Sequence, residues 1–138
     1  MAYIIITDND VDVKDMIDNR KAAAYLPYVG PRVEKILKND KVFIYRTQKN
    51  SIAGTKTGII AFGYADGKFA NENSNGKEND YVRLEPFIEL KTPMPFSELN
   101  VMSKKYSDKK LVFVNLTTKE ISEAYADALI GEINLRYI

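Results

Sequence analysis

Five runs rich in β-branched and aromatic residues limit what this chain can become. They are Tyr3-Ile4-Ile5-Ile6-Thr7, Lys41-Val42-Phe43-Ile44-Tyr45-Arg46, Thr57 to Tyr64, Tyr81 to Leu90 and Lys110 to Val114. Runs of this kind bounded by turn chemistry read as strands. Asn39-Asp40 precedes the second, Asp66-Gly67 follows the third, and Pro93 and Pro95 close the fourth. In the fourth, Tyr81, Arg83 and Glu85 alternate with Val82 and Leu84, the period of a strand with two unlike faces. Gly58 and Gly63 in the third suggest bends or close backbone approach.

Helical spacing falls outside these runs. Asp10 or Asp12 can cap a helix reaching about Tyr25, with Val13, Met16, Ile17 and Ala24 inward. Pro27, Gly30 and Pro31 interrupt it. Pro31 suits the first turn of a second short helix, Arg32 to Lys38, burying Val33, Ile36 and Leu37. Ser97-Glu98-Leu99 reads as a single helical turn. Thr117 with Glu120 fits a capping box for a helix to about Ile130, and Asn134 to Ile138 allows a closing strand. Gln48 to Lys56 is a polar loop, and Asn71 to Asp80, with no apolar residue, reads as a mobile surface loop. Segregated helices around a mostly antiparallel sheet give an α+β domain, and strands with bends can curl into a small β-barrel flanked by helices. The 138 residues, 45% apolar, suffice for one domain with one core.

Cysteine and histidine are both absent, which removes zinc fingers, disulfides, thiol nucleophiles and imidazole bases. No catalytic constellation stands in their place, so neither an enzyme nor a cofactor is expected. Asp8, Asp10 and Asp12 alternate in a pattern able to gather a magnesium ion, but the glycine and distal glutamate of a calcium loop are missing. Acids at a helix start are explained by the helix dipole, and no metal is expected. No apolar run approaches the roughly 20 residues of a membrane span. The N-terminus lacks the pattern of a signal peptide, so a cytoplasmic protein without a membrane partner is expected.

Net charge is only +1, but it is unevenly placed. Arg20 to Lys56 holds nine basic residues against Glu34 and Asp40, a net of +7 that leaves −6 on the rest. A one-sided basic surface suited to a phosphate backbone is the expectation, against the plainer reading of solvated lysines. Lys104, Lys105, Lys109 and Lys110 read as a solvated loop.

The order of elements resembles the PUA-like superfamily in its EVE and YTH branches. Pro31 to Arg46 is similar to the EVE run of a short helix leading through Gly-Asp, here Asn39-Asp40, to an apolar strand ending near Tyr45. Gly58 to Gly63, Leu90 to Leu99 and Thr117 to Ile121 resemble the family's next strand, its exit and its terminal helix. The resemblance spans nearly the whole chain. It implies a nucleic-acid-binding module for an exposed or flipped, modified base in DNA or RNA, such as occurs in restriction of modified DNA beside a fused or associated NTPase or nuclease. It places the base among Tyr25 or Tyr28 as stacking ring, Thr47 and Gln48 at the base edge, and Asp8 or Asn9 near a ring N–H. Lys35, Arg46 and Lys49 would meet phosphates. YTH cages use tryptophan, and this chain has none among nine tyrosines and six phenylalanines. The alternative is a protein–protein or small-ligand module on the same fold.

Overall fold

The computed structural model describes residues 1–25, 30–47, 57–74, 76–107 and 117–138. In chain order these form β1 (Ala2–Thr7), α1 (Asp10–Asn19), β2 (Lys21–Tyr25), a single 3-10 turn (Val33–Lys35), β3 (Lys41–Arg46) and β4 (Gly58–Ala65). Then follow β5 (Ala70–Ser74), β6 (Lys77–Met94), α2 (Phe96–Ser107), β7 (Thr118–Ile121) and α3 (Glu123–Arg136). The strands make one sheet in the order β2-β6-β4-β3-β1-β7, with β5 also on β6. Among the described residues every pairing is antiparallel except β1 with β3. The result is an α+β domain with a curled, mixed half-barrel sheet rather than a barrel closed by strand pairing.

That central parallel pair accounts for the apolar density of β1 and β3, because both of its faces are covered. Ile4, Ile6, Phe43 and Tyr45 face α2 and α3 through Leu99, Tyr125, Leu129 and Ile133. Phe43 and Phe62 stack there at 5.8 Å. Tyr125 is buried in this layer and donates to the Leu99 carbonyl at 2.9 Å, joining the two outer helices. Tyr3, Ile5, Val42 and Ile44 face the inside of the curl, against Met16 of α1, Ala22 to Ala24 of β2, and Val33 and Ile36. Three successive alanines let β2 lie close over β1 and β3, where larger side chains would hold the curl open.

Strand β6 makes the curl. Its first residues, 77–83, are flanked by β5 on one edge and β2 on the other, while 84–94 pair with β4 through two register shifts. The shift between Gly63 and Ala65 sets two residues of β4 against three of β6, as a bulge does, and a bulge bends a strand and increases its twist. Residues 30–32 tie the edge strand β7 to β6. The Thr118 hydroxyl donates to the Pro31 carbonyl at 2.5 Å, and Arg32 pairs with Asp80 at 3.7 Å. Gly30, at φ +124°, packs so tightly on Thr118 that a Cβ would strike its carbonyl.

Several expectations are corrected. Lys21 to Tyr25 is a strand, not the end of α1: Arg20 takes a left-handed conformation at φ 51° and its N–H closes on Ile17 and Met16. Alanine favours helices locally, but the ladder on β6 outweighs that preference. Asn9, not Asp10 or Asp12, caps α1, accepting from Val11 N at 2.8 Å and Asp12 N at 3.3 Å. The second short helix is a single 3-10 turn, and Leu37 is 65% exposed. The polar stretch Asn71 to Asp80 is a hairpin of β5 and β6, and α2 runs three turns rather than one. Thr117 is not the cap of α3, since Thr118–Ile121 is a strand on β1. Ser122 caps α3, which continues to Arg136 and leaves no closing strand. The strand expected at Lys110 to Val114 and the loop at Gln48 to Lys56 lie outside the described residues.

Gly58, at φ +126°, enters β4 with no room for a Cβ against the Met94 carbonyl, whereas Gly131 on α3 has nothing within 4 Å. Gly58→Ala is expected to cost about 2–3 kcal/mol and lower the melting temperature by roughly 6–10 °C. Gly131→Ala should raise stability by about 0.5–1 kcal/mol. Thermal melts of the two variants check the contrast.

Candidate functional site

The C-terminal ends of β1 and β3, the tip of β2 and the first turn of α1 converge at one pole of the sheet. Thr47 N donates to the Thr7 carbonyl at 2.9 Å, and Asn9 N to the Thr7 hydroxyl at 3.5 Å. Arg46 pairs with Asp10. Tyr25 donates to Asp15 at 2.6 Å and lies 3.4 Å from the Asp12 carbonyl. The structure therefore brings together Asp8, Asn9, Tyr25, Arg46 and Thr47. Lys35 does not join them: its carbonyl accepts from Tyr3, at the other end of β1, about 13 Å away along the strand. Tyr28, Gln48 and Lys49 lie outside the described residues.

Helix α1 separates two environments at this pole. On its β2 flank is an ionic cluster. Lys21 is 0% exposed, and its ammonium contacts Asp15 at 3.0 Å, Asn79 Oδ1 at 3.4 Å and Glu72, with the Tyr81 ring 4.8 Å away. Such burial is tolerable only with partners of this kind, because an isolated ammonium would carry a penalty of several kcal/mol. The i, i+3 spacing of Asp12 and Asp15 turns both carboxylates to this flank. Lys77 reaches Asp12 at 3.3 Å and stands 5.9 Å from the Tyr25 ring centre. The Tyr25 hydroxyl is pushed above its ordinary pKa, first by burial and then by its bond to Asp15. In the structure Tyr25 is a half-buried member of this cluster, and its hydroxyl is committed to it.

On the other flank, Val13 and Ile17 of α1 face Ile60, Leu90 and Pro93 across a cleft of about 310 Å³. Arg46 lines it, and Glu89 and Lys91 stand with it. Arg46 is 8% exposed, and burial lowers its pKa. Its Nη2 pairs with Asp10, while Nε has no hydrogen-bond partner among the described residues. Asn9 contributes as the α1 cap. Asp8 and Thr47 remain half-exposed at the pole.

Part of the expected basic face is engaged within the domain. Lys21 is interior, Arg46 is held by Asp10, Arg32 by Asp80, and Lys41 by Glu123 at 2.6 Å and Asp127 at 3.2 Å. Four of the nine cations counted in the Arg20 to Lys56 segment are thus neutralised within the domain. Arg20, Lys35 and Lys38 are exposed. The polar hairpin residues Glu72, Lys77 and Asn79 were read as loop, and only their pairing across β5 and β6 reveals them as partners of Lys21, Asp12 and Tyr25. Among the described residues no group of three acidic side chains is placed to hold a metal ion, and no helix is long and apolar enough to cross a membrane.

The same fold occurs in protein PSPTO5229 from Pseudomonas syringae, a structural genomics target, with a TM-score of 0.59 over 96% of this chain and 99% of that one. At 12% identity the likeness is one of fold alone. No family model matches the chain, and no curated protein does.

Asp12 is held above the ordinary carboxylate range. Burial is the main cause; the Lys77 hydrogen bond opposes it, and the charges of Asp15 and Asp8 add to it. A carboxyl raised on folding favours the native state only while it is protonated, so its ionised form weakens the fold as pH rises through the folded pKa. Asp12→Asn is expected to raise the melting temperature at pH 7. The gain should vanish near pH 3, below the ordinary carboxylate pKa, where wild-type Asp12 is protonated in both states. Melting curves at the two pH values check the sign.

Proposed function

We propose that this chain is a nucleic-acid-binding module that receives one exposed or flipped base of DNA or RNA in the cleft between α1 and β4–β6. The observation that carries the reading is the cleft itself. Its volume of about 310 Å³ accommodates a single planar heterocycle, with Val13 and Ile17 on one side and Ile60, Leu90 and Pro93 on the other. Apolar walls replace the stacking a base loses on leaving its strand, a contribution of about 1–3 kcal/mol per base where the wall is aromatic. Polar groups at one end supply orientation. The sequence resemblance to a PUA-like domain of the EVE or YTH type supports this reading, and the modified base, together with an associated NTPase or nuclease, belongs to that same proposal. In this reading the domain acts by binding.

Internal neutralisation of Lys21, Arg32, Lys41 and Arg46 shifts the expected energetics. Affinity should come from the base more than from the phosphates, with a modest salt dependence set by Arg20, Lys35 and Lys38. A second reading, a small-ligand or protein-binding module, has an observation of its own. A groove of about 420 Å³ between α2 and α3 is lined by Val101, Met102, Lys105, Tyr106 and Arg136, among others, and Val101 is largely exposed.

Fluorescence anisotropy with labelled single- and double-stranded oligonucleotides at 50 and 200 mM salt tests the first reading. Single strands are expected to bind, with a log–log salt slope shallower than about −2, corresponding to no more than about three phosphates. Ile60→Trp, which fills the cleft, should abolish that binding while leaving the fold intact. Absence of binding to every strand at low salt would remove the reading, and binding that survives Ile60→Trp would move it away from this cleft.

A further inference from the structure

The charges around the α1 cleft cancel. Arg46 is matched by Asp10, and the cation of Lys91 by the neighbouring Glu89. A cleft with balanced charge and apolar walls favours a neutral guest over a phosphate or a cation. Its hydrogen-bonding capacity is nevertheless one-sided. A guanidinium carries five N–H donors and no acceptor. Of those on Arg46, Nη2 is set against Asp10, and Nε, itself buried, has no hydrogen-bond partner among the described residues. The side chain keeps 10% of its surface open, and it lines the cleft. A nearly buried cation with donors to spare gains from a guest that brings an acceptor, and loses against one that presents another N–H.

We propose that this cleft selects bases bearing a ring carbonyl and discriminates against adenine, with Arg46 as the selecting group. This rests on the reading that the cleft takes a base. Guanine, cytosine, thymine and uracil each project a carbonyl oxygen beyond the ring, and guanine adds the adjacent N7 that arginine commonly pairs with. Adenine has no carbonyl. Two of its ring acceptors, N1 and N7, flank the exocyclic amino group, which would turn N–H donors toward the guanidinium. Planarity of the guanidinium matters as well: a lysine at the same place would keep the charge opposite Asp10 but lose the fork that aligns with a base edge.

The test uses four single strands of abasic sites, each with one central base, A, C, G or T, and a fifth strand wholly abasic. On the intact chain, the three carbonyl-bearing strands are expected to bind roughly tenfold more tightly than the adenine strand, the size of one charge-assisted hydrogen bond. In Arg46→Lys all four should fall within about twofold of one another. The four-base comparison on wild-type protein decides the selectivity even if Arg46→Lys does not fold. Equal affinity for all four bases, or a preference for adenine, overturns the inference while base binding itself stands. A preference that persists in folded Arg46→Lys shows that Arg46 is not the selecting group. A wholly abasic strand binding as tightly as the others removes the base-binding reading, and the inference with it.

Discussion

Lys21 is a lysine at the centre of a domain, and much of the architecture is the set of arrangements that make this tolerable. Its ammonium needs anionic and carbonyl partners from several directions at once. Asp15 comes from α1, Glu72 from β5 and Asn79 from β6. These elements are far apart in sequence, so satisfying one charge sets the position of the helix against the hairpin. Lys21 itself opens β2, and the alanines that follow it bring that strand down over β1 and β3. The curl of the sheet and the seating of α1 thus share one electrostatic anchor. Removing a partner would leave a buried charge uncompensated, a far larger loss than any surface ion pair represents.

The same accounting changes what the charge distribution means. A segment with a surplus of cations need not present them. Here four of the nine meet carboxylates within the domain: Lys21 meets Asp15 and Glu72, Arg46 meets Asp10, Lys41 meets Glu123 and Asp127, and Arg32 meets Asp80. Opposite charge on two halves of a chain can be a recipe for folding as readily as for binding. What stays available at the pole is local: a cleft with one arginine whose donors exceed its partners. Recognition of a neutral heterocycle follows from that pattern more readily than long-range attraction to a polyanion.

How much of this was legible in the sequence varied with the range of the forces involved. β1, β3, β4 and the core of β6 follow from alternation and β-branched content, because local pattern and tertiary demand agree there. The α+β class follows from their order. Lys21 to Tyr25 was misread because alanine's helical preference is local, while the ladder that overrides it is supplied by residues about 60 positions away. The β5–β6 hairpin was taken for loop because its side chains are polar; they are polar because they serve Lys21 and Tyr25, a fact visible only once the partners are adjacent. Asp8, Asn9, Tyr25, Arg46 and Thr47 lie at one pole, but only Arg46 of these lines the cleft, and Tyr25 stands across α1 in the ionic cluster. Lys35 lies toward the other end of β1, beside Tyr3. The cleft walls were not foreseen, since Val13 and Ile17 were credited wholly to the core.

Helix α1 links these observations. Met16 anchors its buried face, Asp12 and Asp15 bind it to the ionic cluster, and Val13 and Ile17 form one wall of the cleft. A rigid helix cannot shift one flank without the other. The ionic cluster therefore sets the width of the cleft, although none of its residues lines it. Asn9 adds a second constraint by capping the same helix from the strand end, which keeps Asp10 opposite Arg46. An apolar cleft with no such support would collapse onto its contents or close when empty. Here the polar framework on one side of α1 resists that collapse and keeps space on the other side for a planar guest.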